Sequence, residues 1–413
     1  MPKLVILLIA AMLTLAAAAR DTGDTTPMVT VSGVVKDKSS KKKLANVSIS
    51  VPGTGIATVS NADGAFTIKI PTSSASSGII AEQVGYFSTT VTDLTGGAPM
   101  TIWMRRADRV LGEVVVRSGD PTAIVREALK NIPDNYSQQR SLFSAFYRET
   151  IQKRNRFIGV TEGVVDVYKT AYDNRTTIGD RVQLMKGRKL ISQNARDTVA
   201  VKIVGGPTMP VFMDFVKNEE FLFSEAELPL YRFEMDQHTS IDDRMQYVIR
   251  FEPVGVADYP LCVGRLYIDQ ETLSFSRAEF QLDMRDKQKV TEFILRKKPR
   301  GLRFTPQESS FVVTYRNVDG KSYLNYISSK TRFKCDWKRR LFASGYTAFA
   351  EVVMVDRHDE PFDKIERSDA FGQRDIFYDE VDQYWDEDFW RDYNIIEPTE
   401  RLETAVLKLR KKK

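Results

Sequence analysis

A hairpin signature at residues 61–71, "NADGAFTIKIP", constrains the fold of this chain most strongly. The Asp-Gly pair at 63–64 supplies the positive-φ geometry of a tight turn. The residues that follow, from Ala65 to Ile70, alternate between apolar and small or polar side chains, which is the pattern of a half-buried strand. The stretch therefore predicts a β-hairpin, and nothing in it predicts chemistry.

The same pattern recurs about every ten residues between positions 28 and 104. Gly, Pro, Asn and Asp separate the segments, and such regular spacing of short strands predicts a β-sandwich. The segment "RVLGEVVVRSG", residues 109–119, closes this region as a further strand or a linker. The quoted strand segments are "VTVSGVV", "LANVSISVPG", "GIIAEQVGYFSTTV" and "APMTIWMRRA".

Several motifs in this region resemble the carboxypeptidase-like regulatory domain. They are Gly33-Val34-Val35, Leu44-Ala45-Asn46-Val47-Ser48-Ile49, Gly53-Thr54 and Gly85-Tyr86. The resemblance covers residues 29–117 and implies a seven-stranded, transthyretin-like β-sandwich. It also implies no peptidase activity and a place among exported Bacteroidota proteins, which include outer-membrane receptors. Asn61 stands where this family usually has Asp, which weakens a cation-binding interpretation of the turn.

Residues 118–375 predict an α+β domain with a large curved antiparallel sheet. Its long alternating segments favour strands, and a helix over 121–132 is indicated by Asp120 as a cap and Pro121 at the first turn. A helical insert is expected near 207–218. The hairpin pattern at 263–282 is similar to periplasmic lipoprotein carriers, which are half-open barrels wrapped around helices. The rest of the region resembles the uncharacterised segment that follows this sandwich in similar exported proteins, and that resemblance implies no activity.

Residues 376–413 predict helices that pack on the sheet and end in a basic tail, "LRKKK". Apolar residues at i, i+4 spacing indicate the first helix, and a second is expected after Pro398. The tail is either solvated or in contact with an anionic membrane surface. The residues on the two apolar faces are Phe377, Val381, Trp385 and Phe389, followed by Leu402, Ala405, Val406 and Leu409.

The N-terminus predicts export. Residues 1–19 combine Lys3, an apolar run of signal-peptide length and small residues suited to cleavage, and a linker follows at 20–28. Retention as a membrane anchor is the alternative. We expect the periplasm, or the periplasmic face of the outer membrane. Cys262 and Cys335 either form one disulfide there or are small buried apolar residues.

Charge gives no case for nucleic acid, because 60 basic and 55 acidic residues leave a net charge of +5 with the signs interspersed. Peripheral contact with a membrane stays open. An envelope protein or a lipid or acyl chain is the expected partner.

Candidate catalytic and metal-binding residues are few. The chain has two histidines, His238 and His358, and it lacks the zinc-peptidase and nucleophile-elbow motifs. His358 lies near Asp356, Asp359 and Glu360, where a polar turn is the simpler interpretation. A second acidic cluster could bind calcium or form the solvated face of a helix. Its members are Asp379, Glu380, Asp382, Asp386, Glu387 and Asp388.

The sequence therefore predicts no catalytic residue, no cofactor-binding residue and no metal ligand. The leading hypothesis is a non-catalytic cell-envelope protein in which the sandwich is an interaction module. The second region would be a binding platform for an envelope protein or a saccharide-handling complex. One alternative is a carrier or sensor of an apolar ligand in a half-barrel cavity, and the other is a hydrolase of unfamiliar type. A cavity of several hundred Å³ in the large sheet would favour the carrier.

Overall fold

The computed structural model describes residues 27–94, 97–107, 119–173, 175–192, 194, 201–203, 206–222, 224–338, 343–358, 360–372, 375–385 and 393–410. The protein is mainly β, with an N-terminal pair of sheets followed by a large antiparallel sheet and helices, as the sequence predicts. The predicted signal peptide, most of the linker and the segment 109–118 lie outside the described residues. None of the described helices is long and apolar enough to cross a bilayer.

The N-terminal region contains seven described strands in two sheets. One sheet has the order β4-β1-β7 and the other the order β3-β2-β5-β6. The strands β1 and β7 run parallel, and the other pairs are antiparallel. The strands are β1 (Met28–Asp37), β2 (Ser48–Ser50), β3 (Ala57–Val59), β4 (Ala65–Pro71), β5 (Ile79–Glu82), β6 (Thr89–Val91) and β7 (Met100–Met104).

The predicted hairpin forms, with Gly64 at φ +71° in its turn. Side chains of β4 alternate between half-buried and buried, and Phe66, Ile68 and Ile70 enter the sandwich core. Val35 and Ile49 from the two facing sheets meet them there. Burial of one face of each strand is therefore what holds the two sheets together.

The second region is built on an eleven-stranded antiparallel sheet. Its order is β10-β9-β8-β20-β19-β18-β16-β15-β14-β12, and β13 pairs with β14. A separate two-stranded sheet pairs β11 with β17. The strands are β8 (Ser141–Lys153), β9 (Arg156–Lys169), β10 (Arg181–Ile191), β11 (Lys202–Ile203), β12 (Tyr231–Met235), β13 (Thr239–Ile241), β14 (Arg244–Pro253), β15 (Cys262–Asp269), β16 (Phe275–Leu282), β17 (Leu295–Lys297), β18 (Leu302–Val318), β19 (Lys321–Trp337) and β20 (Ser344–His358).

Short helices cover one face of this sheet, which we call the inner face. These helices are α1 (Pro121–Lys130), α2 (Ile132–Asn135), α3 (Met209–Phe212), α4 (Lys287–Ile294) and α5 (Phe377–Glu380). A further helix, α6 (Glu400–Arg410), begins beside the sandwich, where the Glu400 N–H donates to an oxygen of Asp63. As predicted, Asp120 caps α1 by accepting a hydrogen bond from the Thr122 N–H, and Pro121 opens the helix. The expected insert is α3. Strands across the whole sheet, from β10 at one edge to β12 at the other, share one core with α1 to α4.

The opposite, outer face of the sheet carries the N-terminal sandwich. Phe146 of β8, Val164 of β9 and Val353 of β20 form a small core there with Val59 of the sandwich and Ile396 near the C-terminus. The large sheet is thus covered on both faces over these strands.

The helix predicted from the spacing of Phe377, Val381 and Trp385 is shorter than expected in the described residues. The helix α5 ends at Glu380, a 3-10 turn covers Val381–Tyr384, and Trp385 then forms a parallel bridge with Gly187 of the edge strand β10. Phe377 and Val381 are buried as predicted, whereas Trp385 is 45% exposed. Phe389 lies outside the described residues. Pairing with a free sheet edge satisfies backbone groups that a longer helix would leave beside that edge.

Candidate functional site

A cavity of about 550 Å³ lies on the inner face of the large sheet. Its floor comes from β8, β9, β20 and β19, and its walls come from β11 and from residues 375–379. The apolar residues that line it are Tyr147, Ile151, Ile158, Ile191, Val201, Ile203, Ala348, Phe349, Ala350, Ile376, Phe377 and Tyr378.

The strand register explains why this part of the inner face is hollow. Glu149 of β8 pairs with Thr161 and Ala350, and Ala350 pairs with Ser329. Small side chains thus flank Glu149 across four neighbouring strands. Such a row cannot fill the space above a sheet, where large side chains normally interdigitate.

The next row along the strands has the same character. Ile151 pairs with Gly159 and with Ala348, and Ala348 pairs with Thr331. A Cβ built on Gly159 meets no atom within 4 Å, so this glycine faces open space. Two successive rows of small residues therefore make the floor of the cavity.

The cavity ends where aromatic residues fill the inner face. Tyr147 and Phe377 pack edge to face with ring centroids 5.2 Å apart. A Cβ on Gly163, which pairs with Tyr147, would lie 2.9 Å from the Phe377 ring. Gly163 thus leaves room for an aromatic side chain from the C-terminal segment, whereas Gly159 leaves room that no side chain occupies.

Glu149 is the acid of the cavity floor. It is half-buried, and its Oε2 accepts a hydrogen bond of 3.0 Å from the Tyr147 hydroxyl. The Gly206 N–H donates in turn to the Tyr147 oxygen at 3.0 Å. Burial raises the pKa of Glu149 to about 7, against a smaller lowering by Tyr147. The carboxyl is therefore about half protonated at neutral pH, and an apolar ligand would meet a site with little fixed charge.

Two lysines beside the cavity bind the C-terminal segment. Lys202 lies 2.7 Å from an oxygen of Asp379, and Lys189 lies 2.6 Å from an oxygen of Asp382. These ion pairs use two members of the acidic cluster that could have bound calcium. Glu380 accepts a hydrogen bond from Gln383, and the other three members lie outside the described residues.

His358 lies at the end of β20, away from the cavity. Its Nε2 is 2.8 Å from the Ser144 hydroxyl, which lies 3.0 Å from an oxygen of Asp166. In a catalytic triad the carboxylate orients the histidine, and the histidine takes the serine proton. Here Ser144 donates to Asp166, and the serine lies between the carboxylate and the histidine, so the carboxylate does not orient His358. This order does not activate a nucleophile.

The other candidates for chemistry have structural partners. His238 Nδ1 faces the Gln246 carbonyl at 3.3 Å and the Gln270 amide at 3.0 Å. Asp356 accepts a hydrogen bond from the Arg357 N–H, and Glu360 pairs with Arg140 at 3.1 Å. Asp359 lies outside the described residues. Across the described part of the chain, no group of three or more His, Cys, Asp and Glu is placed to hold a metal ion.

The two cysteines are free and buried in different strands, β15 and β19. Of the two interpretations left open by the sequence, the small buried residue is the one that the structure shows. Burial raises the pKa of Cys262 to about 12 and that of Cys335 to about 11. Neither thiol is therefore a reactive nucleophile at neutral pH.

A buried ionic cluster, which the sequence does not predict, lies between β9 and the loop after α3. Lys169 Nζ lies 2.8 Å from Asp214 and 3.4 Å from Asp180, and Asp214 accepts hydrogen bonds from the Tyr172 and Tyr315 hydroxyls. Burial alone would raise the pKa of Asp214, but Lys169 and these hydroxyls hold it below its ordinary value. The cluster fixes the loop after α3 against β9 and β18. Its members are scattered in sequence, and each looks like an ordinary surface charge.

A second buried network lies on the outer face. Arg148 Nε donates to Glu162 at 2.6 Å, and its guanidinium also reaches Glu351 at 3.4 Å. Burial would raise the pKa of Glu162, yet Arg148 and Arg188 lower it below the usual value. The same Arg148 donates to the Ile396 carbonyl at 2.6 Å.

Ile396 belongs to residues 393–398, which we call the strap because they join the sandwich to the large sheet. Asn394 exchanges two hydrogen bonds with the backbone of Lys69, at 2.6 and 3.2 Å. Thr58 of β3 donates to the Ile395 carbonyl at 3.1 Å. The strap therefore contacts both regions of the molecule.

Asn61 completes the strap contacts. Its Oδ1 accepts hydrogen bonds from the Asp63 and Ala65 N–H groups inside the hairpin turn. Its Nδ2 donates to the Glu397 and Pro398 carbonyls, each at 3.1 Å. A carboxylate could make the first pair of bonds but not the second, because it has no N–H to donate. The departure from the family pattern therefore serves the docking of the strap.

Glu149 is the site residue that sequence reasoning missed. It lies in "FYRETI", where Tyr147, Glu149 and Ile151 share one face of a strand. A carboxylate between two apolar residues at period two is a signal of a buried acid, and it was available in the sequence.

Comparison with known protein families supports the resemblance of the sandwich to the carboxypeptidase-like regulatory domain. Residues 31–116 match the family model of the CarboxypepD_reg-like domain, which confirms the resemblance assigned to 29–117. This match is confined to the sandwich and covers less than half of the chain. No curated protein matches the chain.

Three solved structures are similar to somewhat more than half of the chain, at low sequence identity. A DUF1329 family protein from Desulfovibrio piger is 12% identical, with a TM-score of 0.24 over 58% of this chain and 92% of that one. A putative outer membrane lipoprotein-sorting protein domain from Vibrio parahaemolyticus is 13% identical, with a TM-score of 0.24 over 60% and 95%. A LolA superfamily protein from Nitrosomonas europaea is 13% identical, with a TM-score of 0.21 over 57% and 94%.

Proposed function

We propose that this protein is a non-catalytic, exported cell-envelope protein that binds an apolar ligand, such as a lipid or acyl chain, in the cavity of its large sheet. The observation that carries the proposal is the hollow inner face. Two rows of small residues leave about 550 Å³ beneath walls of Ile, Val, Phe and Tyr. Ligand sites of drug-sized molecules span about 300–1,000 Å³ and are mostly apolar.

The polar groups of the cavity fit the same function. A ligand site of this type needs few polar groups, which fix the orientation of the ligand. Glu149 and Tyr147 form one such hydrogen-bonded pair on the floor. Because the pKa of Glu149 is about 7, the pair can offer an acid O–H to a ligand carbonyl or hydroxyl.

The sandwich acts in this proposal as the module that holds the large sheet in place within the envelope. The predicted boundary at 118 would separate the sandwich from the cavity-bearing region. Residues 375–379, which follow the second predicted boundary, line the cavity. Export rests on the predicted signal peptide at 1–19. The binding platform for an envelope protein, which was the leading sequence hypothesis, stays a prediction.

Ligand binding can be tested with a fluorescent apolar naphthylamine dye and an Ala348→Phe variant. Ala348 lies between Ile151 and Thr331 on the floor, so a phenyl ring there projects into the cavity and takes up part of its space. We expect dye affinity to fall at least tenfold.

The matched control is Thr347→Phe, which places the same ring on the opposite face of the same strand. We expect its dye affinity to equal that of the unaltered protein. Equal affinity in all three proteins would reject the cavity as the binding site, and a lack of dye binding by the unaltered protein would reject the proposed function.

A further inference from the structure

One rim of the large sheet is strongly cationic. The segments 153–156, 296–303 and 334–338 together contain ten lysines and arginines and one acid, Asp336. Their net charge of +9 exceeds the +5 of the whole chain. All of these cations are exposed except Lys153, which is half-buried. The charge that looks interspersed along the sequence is therefore concentrated in space.

Strand pairing places the three segments side by side. Lys153 and Arg156 are partners at the turn between β8 and β9, and Lys153 also pairs with Tyr346 of β20. Lys334 of β19 pairs with Gly345, the neighbour of Tyr346. The Lys338 N–H donates to the Gly301 carbonyl, which brings the third segment to the same rim.

The cations of the middle segment are not neutralised by acids of the described chain. Among the residues with described positions, no carboxylate forms an ion pair with any of the five lysines and arginines of 296–303. Asp336, the acid of the rim, pairs with Arg303 across β18 and β19 as a backbone neighbour. The rim thus presents long, flexible cationic side chains to solvent.

The rim borders the cavity. Ile151 and Ile158 line the cavity and lie two residues from Lys153 and Arg156. Lys202, another lining residue, pairs with Lys297 in the small sheet of β11 and β17. An apolar ligand that enters beside Ile151 and Ile158 therefore passes the cationic rim.

We propose that the cationic rim docks the protein on an anionic lipid bilayer. The rim is an array of mainly exposed cations spread over three segments, which fits a diffuse negative surface better than a single anion. The choice of a bilayer over an acidic protein rests on the proposed function, because a bilayer is the source of an apolar chain that could enter the adjacent cavity. Docking itself does not require the cavity to bind a ligand.

The experiment is co-sedimentation of the full chain with lipid vesicles. Phosphatidylcholine vesicles are compared with vesicles in which one-third of the lipid is phosphatidylglycerol. The rim variant replaces Arg296, Lys297 and Arg300 by Gln. The control replaces Lys38, Lys41 and Lys42 by Gln, because these exposed lysines belong to a sandwich loop and their loss changes the net charge equally.

We expect the unaltered protein and the control to bind the anionic vesicles and not the neutral ones. The rim variant should bind roughly 100-fold more weakly, since each cation near an anionic surface contributes about fivefold. Binding should disappear at about 1 M salt, where charge is screened within about 3 Å. The exposed positions leave the fold intact, which circular dichroism of the three proteins checks.

Three results would overturn the proposal. Equal loss in the rim variant and the control would assign the binding to net charge alone. Binding that survives high salt would show that the contact is apolar. Rim-dependent binding to polyglutamate without binding to vesicles would assign the surface to an acidic protein. Dye binding by the same preparations distinguishes failure of docking from failure of the ligand site.

Discussion

The two faces of strands β8, β9 and β20 differ in how completely their side chains are packed. On the inner face, Glu149 and Ala350 lie in one row whose other residues have small side chains, and this row borders a cavity. On the outer face, their neighbours Arg148 and Glu351 are buried beneath the sandwich and form a network of charges. Adjacent residues of one strand point to opposite faces of the sheet. One of them therefore borders the apolar cavity, and the next lies in the buried charge network.

This difference between the two faces shows how a sheet can be stable although a cavity lies on one of its faces. The outer face has partners for its polar groups, and the strap and the sandwich cover them. The inner face near the rim can then remain unfilled, because strands β8, β9 and β20 are already held from outside. Stability and binding therefore lie on opposite faces of the same three strands.

The largest effect is expected from Arg148→Met, which breaks the outer network. Glu162 and Glu351 would keep buried charge without their main partner, and removal of one member of a buried ion pair typically costs about 3–5 kcal/mol. Urea unfolding measures the change in the free energy of unfolding. Arg232→Met is the control, because Arg232 forms an exposed pair with Glu252, and exposed pairs contribute about 0–1 kcal/mol. Equal losses in the two variants would contradict a special role for the buried network.

Asn61→Asp should give the next largest loss, about 2–3 kcal/mol. The carboxylate keeps the two acceptor bonds of the hairpin turn but loses both donors to the strap, and it places charge against the Glu397 and Pro398 carbonyls. Hydrogen exchange of 393–398 should become faster, while exchange in β4 stays unchanged. Asn61→Ala removes both sets of bonds and should also accelerate exchange in the turn. Unchanged exchange in 393–398 of Asn61→Asp would show that Asn61 does not hold the strap.

The sequence predicted the framework well, because the framework depends on local patterns. Alternation and turn residues located the sandwich, the hairpin at Gly64 and most long strands, and Asp120 and Pro121 located α1. The helix that begins at Phe377 ends at Glu380 and does not reach Trp385 as expected, because Trp385 pairs with the free edge of β10, which an i, i+4 pattern does not reveal.

The cavity and the cationic rim could not be predicted from the sequence. The rows that contain Thr161, Glu149, Ala350 and Ser329 depend on the register between strands that are distant in sequence. The rim depends in the same way on three segments, 153–156, 296–303 and 334–338, that lie together only in the folded protein. An alternating pattern of apolar and polar residues does not show whether the apolar face of a sheet is filled or borders a cavity. For this reason the leading hypothesis from the sequence was binding of a protein partner and not of an apolar ligand.

The variant Glu149→Gln tests whether a buried acid lies on the cavity floor, through the pH dependence of protein stability. The folded pKa of about 7 lies above the ordinary value of 4.5, so the folded protein binds more protons than the unfolded chain between these values. Stability therefore falls as pH rises from about 4.5 to about 7 and changes no further from this group above that range. At pH 4 the protonated acid resembles Gln, and the two proteins should be equally stable. At pH 8 the variant should be more stable by roughly 2 kcal/mol, after allowance for the half-exposed side chain.

Urea unfolding at the two pH values measures this difference. The same offset at pH 4 and at pH 8 would contradict a buried acid on the cavity floor. Glu234→Gln is the control, because Glu234 is exposed and pairs with Arg250 at the surface. Its effect should be within about 0.5 kcal/mol at both pH values.

The smallest expected effect comes from comparing two glycine-to-alanine substitutions, one beside the cavity and one in the filled part of the inner face. Gly159 and Gly163 lie on the same face of β9, four residues apart. In Gly163→Ala the new methyl would lie 2.9 Å from the Phe377 ring and 3.0 Å from a Leu184 methyl, so overpacking should cost about 1 kcal/mol. In Gly159→Ala the methyl enters open space, and the lower entropy of the unfolded chain should leave stability equal or higher by up to about 1 kcal/mol. A loss at Gly159 as large as that at Gly163 would mean that the inner face is filled there, and the cavity and its proposed ligand would be rejected together.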